Sequence, residues 1–163
     1  DIAGFELALR HSRYDIQNKK ILILGAGGVV SSIILALKKM KASKIIISNR
    51  TKKKAEDLKK SFQEIEIINW GNLLNFDMII NATSIGLNIK DNIKLDFSTI
   101  DGKKFFYDII YNPKETNFLK KGKELGHRTE NGKMMFIYQA HQSFTIWNKV
   151  MPEINKELLN LIN

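Results

Sequence analysis

Ile21-Leu22-Ile23-Leu24-Gly25-Ala26-Gly27-Gly28-Val29-Val30 is the stretch whose reading decides the fold. An apolar run of strand length meets three clustered glycines, and an apolar, helix-spaced segment follows at once. Glycines at such a junction let the backbone turn tightly and come within hydrogen-bonding reach of a ligand phosphate. The helix behind them aims its unpaired N–H groups and positive dipole end at the same point. The next strand, Ile45-Ile46-Ile47-Ser48, runs into Asn49-Arg50-Thr51 with no carboxylate at its tip. A dinucleotide site built for NAD commonly carries Asp or Glu there for the ribose 2′-hydroxyl, whereas Arg suits a 2′-phosphate. The combination predicts an NADP-binding domain.

Outward from that junction, apolar spacing alternates between strand-like runs and helical stripes. It predicts a helix over 3–14, a strand over 20–24, a helix over 28–41, a strand over 44–48 and a helix over 51–62. Val29, Val30, Ile33, Ile34, Leu37 and Met40 recur at three- and four-residue steps, so one face of the second helix packs on the sheet. Thr51 can cap the third helix, whose opening turn holds Lys52, Lys53 and Lys54. Cations there oppose the helix dipole and hint at a bound anion nearby. Further strands are predicted at 65–68, 76–81 and 105–110, with an edge strand at 127–129. Helices are predicted at about 115–125, 131–148 and 152–162, the last with Pro152 in its first turn. Strands alternating with helices imply an α/β fold with a doubly wound parallel sheet.

Composition narrows the function. At 163 residues the chain is long enough for one domain with a real core, and 44% of its residues are hydrophobic. No apolar run reaches the roughly 18 residues of a membrane span. There is no secretory leader pattern at Asp1-Ile2-Ala3-Gly4, and no cysteine, so a cytoplasmic protein without disulfides is expected. The net charge of +9 comes mostly from lysines spread along helices, with no interleaved aromatics, so solvated helix faces are expected rather than a nucleic-acid surface. His11, His127 and His141 are too scattered for a metal site. Neither a nucleophile elbow nor a Walker phosphate loop occurs.

An ordered set of segments resembles the shikimate dehydrogenase family. It comprises Asp1-x-x-Gly4-Phe5, Gly25-Ala26-Gly27-Gly28, Asn49-Arg50-Thr51 and Asn81-Ala82-Thr83-Ser84-Ile85-Gly86. It continues with Asp108-x-x-Tyr111-Asn112-Pro113-x-x-Thr116, and Gly132-x-x-Met135-x-x-x-Gln139 leads on to Phe144 and Trp147. The resemblance implies a Rossmann-type NADP-binding domain over 1–163. Its helices at 1–14 and 131–162 would link to an N-terminal substrate domain that this chain lacks. The implied reaction is the reversible reduction of 3-dehydroshikimate to shikimate by hydride transfer from NADPH, on the route to chorismate and the aromatic amino acids.

Site roles follow from the same resemblance. Gly25, Ala26, Gly27 and Gly28 would hold the pyrophosphate. Asn49, Arg50, Thr51 and Lys54 would hold the 2′-phosphate, although Lys54 equally suits a solvated helix face. Asn81, Ala82 and Thr83 would meet the nicotinamide-side ribose or pyrophosphate. Gly132, through its carbonyl, and Met135, through apolar contact, would flank the nicotinamide. Tyr111 and Gln139 would reach the substrate, or else be a Tyr and a Gln satisfied by their neighbours. Asp1 falls on the family's catalytic Asp; its partner Lys belongs to the preceding domain, so this chain alone is expected to bind cofactor and turn over little. Asp108 reads as a structural tether. Val30 stands where the glycine fingerprint has a small residue, and Met134 replaces a family glycine.

Two alternatives stay open. One is the related quinate/shikimate class, which often uses NAD and sits poorly with Asn49-Arg50-Thr51. The other is a non-catalytic nucleotide-binding or sensing module. A methyltransferase with the same glycine loop ranks below both, since it too wants an acid after the second strand.

Overall fold

The computed structural model describes residues 1–162. Six strands, β1 (Lys20–Leu24), β2 (Lys44–Ser48), β3 (Glu66–Ile68), β4 (Met78–Asn81), β5 (Phe105–Asp108) and β6 (Arg128–Glu130), form one parallel sheet in the order β3-β2-β1-β4-β5-β6. The helices are α1 (Ile2–His11), α2 (Gly28–Lys39), α3 (Lys52–Ser61), α4 (Asn117–Glu124), α5 (Lys133–Asn148) and α6 (Lys156–Leu161), with a 3-10 turn at Phe97–Thr99.

Side chains alternate across a strand, so one apolar run feeds two cores. Ile21, Ile23, Ile45, Ile47, Met78, Ile80, Phe105 and Tyr107 point to the face covered by α1, α2, α3 and α5. Leu22, Leu24, Ile46, Ile79 and Phe106 point to the other, covered by the 3-10 turn and α4. The sheet is doubly wound, as its patterning implies. Strand order reverses between β1 and β4, and a crevice opens beyond their C-terminal ends.

Element ends differ from expectation where side chains intervene. β5 stops at Asp108, because the Asp108 carboxylate accepts from the Ile110 N–H at 3.0 Å and turns the chain out of the ladder. α2 ends before Met40, and Lys41 takes a left-handed conformation at φ 62°. The edge strand lies one residue later than expected, over Arg128–Glu130. α5 begins after Gly132 rather than at 131. Pro152 does not open the last helix. Asn155 does, accepting from the Leu158 N–H at 2.9 Å, while the Pro152 carbonyl lies 2.8 Å from His141 Nε2. Thr51 occupies the N-cap of α3, yet its side chain makes no capping bond.

Val30, the bulky residue at the start of α2, is wholly buried in the first-face core. α1 crosses α5 closely: a methyl group on Gly4 would sit 2.9 Å from the Met135 carbonyl and 3.1 Å from Gln139 Cβ. Among the described residues no helix is long and apolar enough to cross a membrane, and no cluster of three or more His, Asp or Glu side chains could hold a metal ion. Asn163 lies outside the described residues.

Candidate functional site

A cleft of about 320 Å³ opens beyond the C-terminal ends of β1, β2, β3 and β4. Gly25, Ala26, Gly27, Asn49, Arg50, Thr51, Lys54, Ala82 and Thr83 line it, joined by Trp70, Ser84 and Ile85. Nine of the residues singled out in the sequence thus converge from three separate segments.

The glycines divide their tasks. Gly25 sits at φ +113°, and its N–H donates to the Ser48 carbonyl at 2.8 Å. A Cβ there would stand 2.8 Å from the Ala82 carbonyl oxygen. Gly25 therefore serves the turn itself, where the ends of β1 and β4 approach. Gly27 and Gly28 would meet nothing within 4 Å if given a Cβ. Nothing in the protein needs that space. It lies at the N-terminus of a 12-residue helix whose N-cap Gly27 offers no side chain and whose first turn holds no acid, as a phosphate-binding turn requires.

At the β2 tip, the Asn49 side-chain amide donates to the Thr51 carbonyl at 2.7 Å and shapes the loop that presents Arg50. Arg50 is exposed, and no carboxylate lines the cleft. The opening turn of α3 carries lysines and no acid, so the cleft is cationic at this end.

Asn81 is fully buried and does not line the cleft. Its amide donates to the Ile85 carbonyl at 3.0 Å and to both Asp108 oxygens at 3.1 and 3.2 Å, while its own oxygen accepts from the Thr83 N–H at 3.1 Å and hydroxyl at 2.7 Å. Asn81 thus sets the shape of the loop that places Ala82 and Thr83. Asp108 anchors this network and is also held by the Thr116 hydroxyl at 2.6 Å. That is the tethering role its sequence position implied.

Burial pushes the Asp108 carboxyl up to about 6, with the bonds from Thr116, Ile110 and Asn81 holding it down. Its folded value exceeds the unfolded value, so the native state keeps an extra proton between about pH 4 and pH 6. Stability from the neutral form is complete below that window and is lost as pH rises through it. Urea unfolding of wild type and Asp108→Asn should show the wild-type advantage shrinking by about 2 kcal/mol between pH 4 and pH 7. A difference constant with pH contradicts the assignment.

The remaining predicted residues form a second group around the start of α5, outside the cleft. Tyr111 stacks on Phe136 at 4.5 Å between ring centres. Gln139 lines an apolar shoulder with Phe136, Ala140, Ser143, Phe144 and Trp147. The Gly4 contact brings the N-terminal end of α1, with exposed Asp1 at its cap, beside this part of α5. Met135 is buried in the first-face core, on the turn of α5 that Gly4 approaches. The Gly132 carbonyl takes the first helical hydrogen bond, from the Phe136 N–H at 2.9 Å. The reading from sequence missed Trp70. Its signal was an aromatic just past the strand that pairs with β2.

A six-stranded parallel sheet with this reversal and this glycine turn defines the Rossmann class. The model of the family described as shikimate / quinate 5-dehydrogenase matches residues 6–117, and this chain belongs to that family. The shikimate dehydrogenase (NADP(+)) of Pelagibacter ubique is 60% identical over 163 residues, covering 100% of this chain and 62% of that protein. The crystal structure of shikimate dehydrogenase from Aquifex aeolicus superposes with a TM-score of 0.86 at 34% identity, over 99% of this chain and 59% of that one. A shikimate dehydrogenase solved in complex with NADP+ superposes with a TM-score of 0.83 at 32% identity, over 98% of this chain and 58% of that one. The chain thus spans about 60% of the length of the relatives it matches.

Proposed function

We propose that this chain is the cofactor-binding part of an NADP-dependent shikimate dehydrogenase, which interconverts 3-dehydroshikimate and shikimate. The observation that carries the reading is the cleft itself: an open glycine turn at a helix N-terminus, and beside it Arg50 and Lys54 with no carboxylate among the lining residues. The nicotinamide cofactor supplies the hydride. The chain's own residues bind and orient it. Backbone N–H groups at Ala26, Gly27 and Gly28 face the pyrophosphate, across the turn that Gly25 makes. Asn49, Arg50, Thr51 and Lys54 grip the 2′-phosphate, with the uncapped Thr51 hydroxyl available to join them. Ala82 and Thr83, held in place by Asn81, border the ribose next to the nicotinamide.

Tyr111 and Gln139 are assigned to the substrate, and Asp1 to moving the hydroxyl proton. These three surround the α1–α5 shoulder, whose exposed Phe136, Phe144 and Trp147 suit coverage by the part of the relatives' length that this chain does not span. On this reading α1 and the segment carrying α5 and α6 join the two parts.

The test is cofactor choice. NADP should bind more tightly than NAD, and Arg50→Ala should weaken NADP by about 10- to 150-fold, the loss of a charge-assisted bond of about 1.5–3 kcal/mol, while NAD, which has no 2′-phosphate, weakens by a smaller factor. Tighter NAD binding, or an Arg50→Ala variant with unaltered NADP affinity, would favour the quinate/NAD class instead.

A further inference from the structure

Trp70 is the one aromatic residue lining the cleft, and the roles above leave it without a task. It stands just past the end of β3, half-buried, and packs against the second-face core, as do Ile68, Leu73 and Ile85. Among the described residues no ring stacks on it, no cation covers it, and its indole N–H has no hydrogen-bond partner.

The cleft has two chemically different walls. Asn49, Arg50, Thr51 and Lys54 come from the β2 tip and α3, whose Ala55 is buried in the first-face core. Trp70 and Ile85 come from loops seated on the second-face core. A cationic wall thus rises from one side of the sheet, and an apolar one, planar at the indole, from the other. A flat heterocycle fits between a guanidinium plane and an indole plane, because both stack on π-faces.

We propose that Trp70 is the adenine platform of this cleft, its indole taking one face of the base while the Arg50 guanidinium takes the other. The inference rests on the dinucleotide reading above and adds the residue that recognises the base. Recognition is then divided. Trp70 serves any adenosine ligand alike, so Trp70→Ala weakens NADP and NAD by the same factor and leaves their ratio unchanged. Arg50→Ala collapses that ratio.

The experiment titrates the chain with adenosine 2′,5′-bisphosphate by calorimetry. It also follows tryptophan emission in Trp147→Phe, where Trp70 is the only tryptophan left. Binding should change the Trp70 emission in step with the calorimetric isotherm. Trp70→Ala should weaken binding about tenfold or more, and Trp70→Phe should restore most of it. Should Trp70→Ala unfold, the emission change and the Trp70→Phe affinity still decide. Wild-type chain that fails to bind the bisphosphate overturns the dinucleotide reading, and this inference with it. Binding with silent Trp70 emission, or with Trp70→Ala affinity within twofold of wild type, overturns the role of Trp70 alone.

Discussion

Gly27→Ala should leave the melting temperature within about 2–4 °C of wild type while raising the NADP dissociation constant at least tenfold. A new Cβ at Gly27 meets no protein atom within 4 Å, and the residue's φ of −83° suits any amino acid. The stability cost is therefore only the weaker N-cap, well under about 1 kcal/mol relative to glycine. On the proposed reading the methyl group instead fills the space that the pyrophosphate needs beside the backbone. Gly25→Ala should behave oppositely. Its φ of +113° is strained for alanine, and its Cβ would press on the Ala82 backbone at 2.8 Å. The expected destabilisation is about 2–4 kcal/mol, lowering the melting temperature by about 5–15 °C. Thermal melts and calorimetric NADP titrations of the two variants separate the ligand-facing glycine from the fold-bearing one. If both lose stability and affinity together, the division is wrong.

Gly132→Ala is the most disruptive glycine-to-alanine substitution expected among the described residues. Gly132 has an ordinary helical-side φ of −77°, so backbone strain is not the cause. A Cβ there would fall 1.9 Å from the Ile109 carbonyl oxygen and 2.5 Å from its carbon. Both are backbone atoms, and the Gly132 N–H is pinned to the Ile110 carbonyl at 3.1 Å. The loop after β5 and the start of α5 must separate to admit the methyl group. That costs about 3–5 kcal/mol and lowers the melting temperature by more than about 10 °C. Gly126→Ala is the control. It carries φ +79° but meets nothing within 4 Å, so only about 1 kcal/mol should be lost. Equal melting temperatures for the two variants would contradict the packing argument.

The fold was legible because its signals are local. Ile21–Leu24 and Ile45–Ser48 each carry enough β-branched and apolar character to place a buried strand, and clustered glycines mark where β1 gives way to α2. The cleft was legible for the same reason, since Gly25–Gly27, Asn49–Thr51 and Ala82–Thr83 all sit immediately beyond strand ends. What escaped depended on contacts distant in sequence. The fate of Asn81 is set by Asp108, 27 residues away, and Met135 is buried through contact with α1 at the other end of the chain. Spacing alone shows neither. Trp70 follows a strand of only three residues, too short for periodicity to indicate what lies past its end.

On the proposed reading, the cationic end of the cleft holds the 2′-phosphate of NADP. A crystal structure of this chain with NADP+ bound tests it most directly. That phosphate should lie within hydrogen-bonding distance of Arg50, and the pyrophosphate against the backbone of Ala26 to Gly28. An adenosine end lying away from Asn49-Arg50-Thr51, or a dinucleotide bound elsewhere than the glycine turn, would contradict it.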